Sequence, residues 1–339
     1  MGQRVTISDV ARTAGVSVAT VSKVLNSRYG VAQATTARVL EVIDELGYES
    51  SLVARSLRSH RTHVIGILVA EFEPFSAEIL KGAAAAVSDA GYELLAYTGG
   101  RQSGGTGWER RYLSRLSGTL IDGAVLVTPT VLDADAGVPV VAVDPHTGPT
   151  GPPTVDSDNL AGAVLATQHL LDLGHRRIGF VAGRPDLESS RLREAGYRQA
   201  LVEAGIAVDE ELIRVGDYRM ESARGPVAEL LALPDRPTAV FAANDLTAIA
   251  ALDVAHEAGI AVPEALSVIG FDNVPEAAGA TPPLTTVRQP IQQMGAAAVT
   301  MLVALLDGQT PESTHVRLPT TLVRRASTAP APSAPASTA

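Results

Sequence analysis

Apolar and polar positions along the chain follow two rhythms, one up to residue 61 and another beyond it. In the first stretch apolar residues recur at helical spacing. Residues 6–13, TISDVART, open with Thr6 as an N-cap and Asp9 three positions later, a variant of the capping box. Ala14-Gly15-Val16 interrupts the pattern, and Ser17 is placed to cap a second helix over 18–26. A third helical pattern runs from Thr35 to Leu46, with Val39, Ile43 and Leu46 at i, i+4 and i+7, and Gly47 stops it. A short fourth helix is predicted at 51–58, SLVARSLR.

From His63 the rhythm changes to short apolar runs alternating with alanine-rich helical stretches. VIGILVA (64–70), ELLAYT (93–98), GAVLVT (123–128), PVVAVD (139–144), RIGFVAG (177–183), AVFAAND (239–245) and LSVIGFD (266–272) read as buried parallel strands. Helices are predicted at 77–90, 159–173, 191–204, 245–258 and 291–306. Such alternation means an α/β fold with right-handed crossovers, and this many strands fits two doubly wound parallel sheets, hence two lobes. Residues 326–339, ASTAPAPSAPASTA, are Pro/Ala/Ser low complexity and are expected to be a disordered tail.

Several strands end on polar residues: Asp144, Arg184 after Gly183, Asn244-Asp245 and Asp272-Asn273. Open α/β sheets bind ligands at the carboxyl ends of their strands, so a row of carboxylates and amides there suits a hydroxyl-rich ligand. The plainer alternative is that each Asp or Asn merely caps the next helix.

Composition narrows the function. The chain has 339 residues and no cysteine, which excludes disulfides, thiol catalysis and Cys-based zinc sites. No apolar run approaches a membrane span and no signal peptide opens the chain, so a cytoplasmic protein with no membrane partner is expected. The net charge of −10 argues against nucleic acid until it is divided by region. Residues 1–61 carry eight basic against five acidic side chains; the rest of the chain holds the other 19 of the 27 basic and 32 of the 37 acidic residues. A basic head on an acidic body suits a phosphate-contacting module joined to a domain that touches no DNA.

The head pattern, VTISDVARTAGVSVATVSKVLN (5–26), has the spacing of a helix-turn-helix. Val10, Ala11, Val16, Val21 and Val24 face inward and Gly15 permits the turn. Ser17, Val18, Ala19, Ser22, Lys23 and Asn26 are left pointing outward. An ordinary helical hairpin would show the same face if the match ended there. It continues through TTARVLEVIDELGY (35–48), VARSLRS (53–59), LLDLGHRRIGFVAG (170–183), RLREAGY (191–197), RPTAVFAANDLTAIAAL (236–252), VPEALSVIGFDN (262–273) and PPLTTVRQP (282–290). Over nearly its whole length the chain resembles LacI/GalR-family transcriptional regulators.

That resemblance implies an α-helical helix-turn-helix head over 1–49 and a hinge helix or linker over 50–61. A two-lobed, periplasmic-binding-protein-like α/β domain for effector binding and dimerisation would follow over 62–325. Val18, Ala19 and Lys23 would read bases; Thr6, Ser17, Thr20, Ser22 and Asn26 would hold the DNA backbone. In the hinge, Ala54 and Arg58 would meet DNA, with Arg55 beside them and Leu57 as a minor-groove wedge. The family's usual proline after helix three is replaced by Ser50-Ser51. In the body, Phe75, Ser76, Asp144, Arg193, Tyr218, Asn244 and Asp272 would line the ligand cleft. Leu187, where a purine reader would need an arginine, and the lack of an Arg/Lys cluster favour a neutral sugar over a purine or a sugar phosphate.

The function expected is therefore a sequence-specific repressor, not an enzyme, released from a pseudopalindromic operator by a neutral sugar, with no metal or cofactor. The proline-rich tail cannot form a tetramerising helix, so a homodimer is expected. A corepressor-dependent or dual-acting regulator is the second reading, and a sugar-transport binding protein a remote third. The head motif should be lost in a transport protein, and neither an HExxH nor a nucleophile-elbow motif supports an enzyme. Leu57→Ala should weaken specific operator binding by roughly tenfold, as loss of a wedge contact would, without changing thermal unfolding; unchanged affinity in a gel-shift titration would refute the hinge assignment.

Overall fold

A computed structural model of the chain describes residues 5–25, 30–46, 61–98, 107–131 and 137–332. These form two compact units, one ending at Thr62 and the other starting at His63. The hinge residues Ala54, Arg55, Leu57 and Arg58, together with Asn26 and the glycine-rich stretch 99–106, lie outside the described residues.

The first unit holds three helices: α1 (Ile7–Ala14), α2 (Val18–Leu25) and α3 (Gln33–Leu46). Thr6 and Asp9 close the capping box reciprocally: Asp9 N donates to Thr6 Oγ1 at 3.4 Å and Thr6 N donates to Asp9 Oδ2 at 2.9 Å. Gly15 ends α1 in the left-handed region, φ 69°, a backbone that costs a residue with a Cβ about 1 kcal/mol or more. Ser17 Oγ then accepts the Thr20 N–H at 3.1 Å and starts α2. Val10, Ala11, Ala14, Val21, Val24, Val39 and Val42 make the small core. Of the positions expected to face inward on α3, Val39 is fully buried, whereas Ile43 and Leu46 only border the core beside Val42.

The second unit is two six-stranded α/β lobes. In the first, β1 (Val64–Val69), β2 (Glu93–Thr98), β3 (Gly123–Val127), β4 (Val140–Val143) and β5 (Thr154–Ser157) are joined at one edge by β11 (His315–Leu318). The order is β11-β5-β4-β3-β1-β2, with every pair parallel. In the second, β6 (Ile178–Ala182), β7 (Ile213–Val215), β8 (Ala239–Ala242), β9 (Ser267–Asp272), β10 (Thr285–Arg288) and β12 (Thr321–Val323) run in the order β12-β10-β9-β8-β6-β7. Only β12 is antiparallel to its neighbour. The chain thus changes lobe three times, after β5, after β10 and between β11 and β12.

The predicted apolar runs all become strands, and the central ones are buried on both faces, as helices on each side require. ELLAYT (β2) is an exception to the expected burial: it sits at a sheet edge and is only partly covered. Helices α4 (Pro74–Asp89), α6 (Asn159–Asp172), α7 (Glu188–Glu203), α9 (Asp245–Glu257) and α11 (Ile291–Leu306) coincide with predicted ones. The polar α5 (Trp108–Leu116), α8 (Met220–Leu231) with Pro226 inside it, and the short α10 (Pro275–Gly279) were not signalled by periodicity.

Helix packing is unusually close where glycines allow it. A Cβ on Gly82 of α4 would stand 1.9 Å from the Gln292 carbonyl oxygen of α11, and one on Gly295 would stand 2.2 Å from the Ile79 oxygen. The two helix backbones therefore touch. Because α11 follows β10 of the second lobe, this contact anchors the returning chain in the first.

The expectation of a disordered tail from residue 326 is corrected through residue 332. Ser327 is fully buried: its Oγ donates to the Val268 carbonyl at 2.6 Å and accepts the Thr285 N–H at 2.8 Å. Ala329 N donates to Ser267 Oγ at 3.0 Å, and Ala331 N to the Leu173 carbonyl at 2.8 Å. Composition is silent about such bonds because they come from the backbone and small hydroxyls rather than from an apolar pattern. Residues 333–339 lie outside the described part. Ser327→Ala orphans the Thr285 N–H inside the lobe and should lower stability by about 1–3 kcal/mol in urea denaturation; an unchanged midpoint would show that the segment bears no load.

Candidate functional site

Two surfaces concentrate the polar groups singled out by the sequence. On the first unit, Ser17, Val18, Ala19 and Lys23 are exposed, and Thr20 and Ser22 are half-buried. Thr6 is exposed immediately before α1. Val18 is 41% exposed at the start of α2, an apolar side chain that the three-helix core does not use. The Ser17 hydroxyl is occupied in capping, so its availability to a phosphate is limited to its remaining hydrogen-bonding capacity.

In the second unit, Phe75, Ser76, Asp144, Arg193, Tyr218, Asn244 and Asp272 come together in one cleft between the lobes, with about 800 Å³ of open space including its mouth. Their elements explain the convergence. β1, β3, β4, β8 and β9 end at the cleft, as the carboxyl ends of parallel strands do in both sheets. The chain must turn sharply at each end, and Thr128, Asp144, Tyr218 and Asp272 all take positive φ there (47°, 47°, 64° and 114°). Such backbones cost about 1–3 kcal/mol each for residues with a Cβ and persist where surrounding structure enforces them.

Arg193, on α7, is the hub. It is 3% exposed, and its Nε donates to Asn159 Oδ1 at 2.8 Å. Its Nη1 donates to the Ala243 carbonyl at 2.5 Å and to Asp272 Oδ1 at 3.3 Å. The guanidinium lies 3.9 Å from the Phe271 ring centroid and 5.5 Å from that of Tyr218. Asp272 Oδ1 also accepts from Gln289 Nε2 at 2.6 Å, and Gln289 Oε1 accepts from Ser157 Oγ at 2.5 Å. Burial pushes the Asp272 carboxyl up to about 6 despite Arg193. Burial likewise raises Asp144, with Arg193 and Ser189 opposing the rise.

The remaining predicted residues divide by what their polar atoms already do. Ser76 Oγ accepts the Glu73 N–H at 2.9 Å and donates to the Glu71 carbonyl at 2.8 Å, fixing the loop at the start of α4. Asn244 Oδ1 caps α9 through Thr247 N at 2.9 Å while its Nδ2 donates to the Tyr218 carbonyl at 3.0 Å. Here the capping role and the cleft position belong to the same side chain. Tyr218 packs its ring where a Cβ on Gly183 would be, about 2.0 Å from ring carbon, so that glycine is required for the ring's placement. The Tyr218 hydroxyl is buried and makes no hydrogen bond of normal geometry; burial pushes its ionisation up, with Arg193 and the nearby Ser190 opposing the rise. Phe75 borders the first lobe's core and shows one side to the cleft.

The cleft also contains Glu71, Glu73, Thr128, His146 and Ser189, which sequence reasoning did not single out, besides Arg184 and Leu187. Glu71, Glu73 and Thr128 follow β1 and β3 directly, so their signal in the sequence is a polar residue just past an apolar run. His146 and Ser189 sit farther along their loops and carry no local signal. Leu187 is nearly buried at the wall, and Arg191 nearby is spent on Glu188 and the His146 carbonyl. Among the described residues no cluster of His, Asp and Glu could hold a metal ion, and no helix is long and apolar enough to cross a membrane.

Comparison with known proteins agrees with this division. Residues 6–51 match the model of bacterial regulatory proteins of the lacI family, and residues 167–328 match that of a periplasmic binding protein-like domain. The HTH-type transcriptional repressor PurR of Photobacterium profundum is 38% identical over 309 residues, 88% of this chain and 91% of that protein. The HTH-type transcriptional regulator CelR of Thermobifida fusca is 38% identical over 345 residues, 96% of this chain and 98% of that one. Among solved structures, a CelR–cellobiose complex is 37% identical with TM-score 0.71. The Lac repressor dimer bound to operator and the anti-inducer ONPF is 28% identical with TM-score 0.84; each comparison covers 96% of this chain and 100% of the other. A capped helix-turn-helix, two doubly wound lobes with three crossings and relatives matched from end to end lead to one conclusion: the chain belongs to the lacI family of bacterial regulatory proteins, DNA-binding transcriptional repressors rather than enzymes.

Proposed function

We propose that the chain represses transcription as a homodimer on a pseudopalindromic operator and leaves the DNA when a neutral sugar enters the cleft. The observation that carries the sugar reading is the Arg193–Asp272 pair buried in the cleft wall, beside a Tyr218 hydroxyl with no partner. A buried charge pair whose lone pairs and donors are nearly all spoken for offers a few directional hydrogen bonds, which is what vicinal hydroxyls need. Phe75 and Tyr218 supply flat apolar faces for a pyranose ring. Leu187 and the absence of an unpaired arginine in the cleft wall, among the described residues, disfavour purines and phosphorylated sugars. The related CelR, 37% identical, was solved as a complex with cellobiose, a neutral disaccharide, which supports the sugar reading.

On DNA, Val18 and Ala19 would touch thymine methyls and Lys23 would donate to guanine, with Thr6, Thr20 and Ser22 on the backbone. The effector would act by preferring a lobe arrangement that is incompatible with operator binding, and its differential affinity for the two arrangements sets the response. The test is a fluorescence-anisotropy titration on the promoter beside the gene, with a panel of sugars. Release by one neutral sugar is the expected outcome; tighter operator binding with ligand would replace the inducer reading with a corepressor.

Effector binding should also be linked to protons. A hydroxyl donating to Asp272 favours its ionised form, so binding lowers a carboxyl that is held up at about 6 in the free protein. The sign follows: the free protein holds the proton below that value, binding expels it, and affinity rises with pH until Asp272 is ionised without help. Isothermal titration in buffers of different ionisation enthalpy should show proton release near the Asp272 value and none well above it. Proton uptake there would mean that the ligand donates nothing to this carboxylate.

A further inference from the structure

Negative charge gathers at the cleft and is matched only in part. Glu71 and Glu73 follow β1, Asp144 follows β4 and Asp272 ends β9, and all four line the same space. The arginines around it are already engaged. Arg193 is bound to Asp272, Asn159 and the Ala243 carbonyl. Arg184 holds Asp186 through Nε at 3.1 Å and Nη2 at 2.7 Å. Arg219, at the start of α8 in the second lobe, reaches across to Glu71 of the first at 3.0 Å. Glu73 forms no ion pair among the described residues, and its side chain is open to water inside the cleft.

The charges facing Glu73 come from three directions: Glu71 on its own loop, Asp272 at the end of β9, and Arg219 before α8. Surrounding protein, then Asp272 and Glu71, push its carboxyl up to about 7, and Arg219 opposes them only in part. Water reaches the side chain, but the protein around it still supplies the largest part of that rise, with Asp272 and Glu71 adding to it. The position at the N-terminus of α4 should favour the anion; the rise shows that enclosure and like charges outweigh the helix. Tyr218 lines the same cleft, and its hydroxyl makes no hydrogen bond of normal geometry there.

We propose that Glu73 is a specificity-determining residue of the cleft, accepting a hydroxyl donor from the ligand and rejecting ligands that carry negative charge. The identity of the ligand rests on the sugar reading above; the uncompensated charge does not. A neutral ring presents hydroxyl hydrogens to the carboxylate, whereas a uronic acid or sugar phosphate would bring a second anion into a space already holding more carboxylates than free cations. At the separations available within one cleft, that repulsion is worth roughly tenfold in affinity even at an effective dielectric well above that of a dry interior.

The experiment has two arms on the full chain at about pH 8, where Glu73 is ionised. The first compares cellobiose with cellobiouronic acid, its analogue carrying a carboxylate in place of one hydroxymethyl, by titration calorimetry. Glu73→Gln, which keeps the shape and an acceptor, should shrink the preference for the neutral sugar by roughly tenfold while changing cellobiose affinity much less. The second arm needs no sugar. Phe75→Trp places an indole in the cleft, where the chain's only tryptophan, Trp108, is buried elsewhere and shielded. Quenching by caesium should exceed quenching by iodide at equal ionic strength, and adding Glu73→Gln should move the ratio toward that of an exposed model indole. If neither sugar binds but the quenching ratio shifts, the sugar reading fails and the role of Glu73 stands. A quenching ratio indifferent to Glu73→Gln, or an unchanged sugar preference, overturns the proposal.

Discussion

Burying the guanidinium of Arg193 is the constraint on which the rest of the effector domain depends. A buried, unpaired cation would cost several kcal/mol, so every donor must find a partner within the fold. Those partners come from places the chain reaches only by folding both lobes. Asn159 opens α6 just after the first crossing, Ala243 follows β8, and Asp272 ends β9. Asp272 in turn binds Gln289 at the second crossing, and Gln289 binds Ser157 at the end of β5. At the third crossing, Asp158 N donates to the Leu318 carbonyl. One charge therefore ties the cleft wall to the first and second crossings between the lobes.

The same economy shapes the cleft surface. Ser76 and Asn244 face the space, yet most of their hydrogen-bonding capacity holds the starts of α4 and α9. Ser17 does the same for α2 on the DNA-facing unit. The capacity left to meet a ligand is smaller than the lining suggests: the remaining acceptor positions of Asp144, Glu73 and Asp272, and the Tyr218 hydroxyl. Left-handed backbones at Thr128, Asp144, Tyr218 and Asp272 turn the chain abruptly at the strand ends, and the sheets beneath them hold those turns in place.

Rhythm along the chain made the architecture legible. Runs such as VIGILV and AVFA can only be strands buried on both faces, and their alternation with alanine-rich helices leaves few topologies beyond parallel sheets. The strands missed were short and polar: TVDS, IRV, TTVR, HVRL and TLV lack an apolar pattern because they are brief or sit at sheet edges, and their pairing is dictated by neighbours. The segment after Arg325 misled for the opposite reason. Its Pro/Ala composition resembles a disordered tail, but Ser327 and the backbone at Ala329 and Ala331 complete hydrogen bonds that the second lobe would otherwise leave open.

By itself, the sequence determined the class of protein: a helix-turn-helix with Gly15 at its turn, a body of two parallel α/β lobes, and a set of strand-end residues suited to a ligand. Each of those signals is local, a cap, a period or a residue at the end of an apolar run, and local signals survive in one dimension. Only the tertiary structure decided which charges are matched. Whether Arg193, Arg184 and Arg219 are free or spent, and whether Glu73 has a counter-ion, depends on residues brought together only when both sheets have formed, some of them more than a hundred positions apart. Electrostatic balance is a property of distances in space, and no pattern along the chain encodes it.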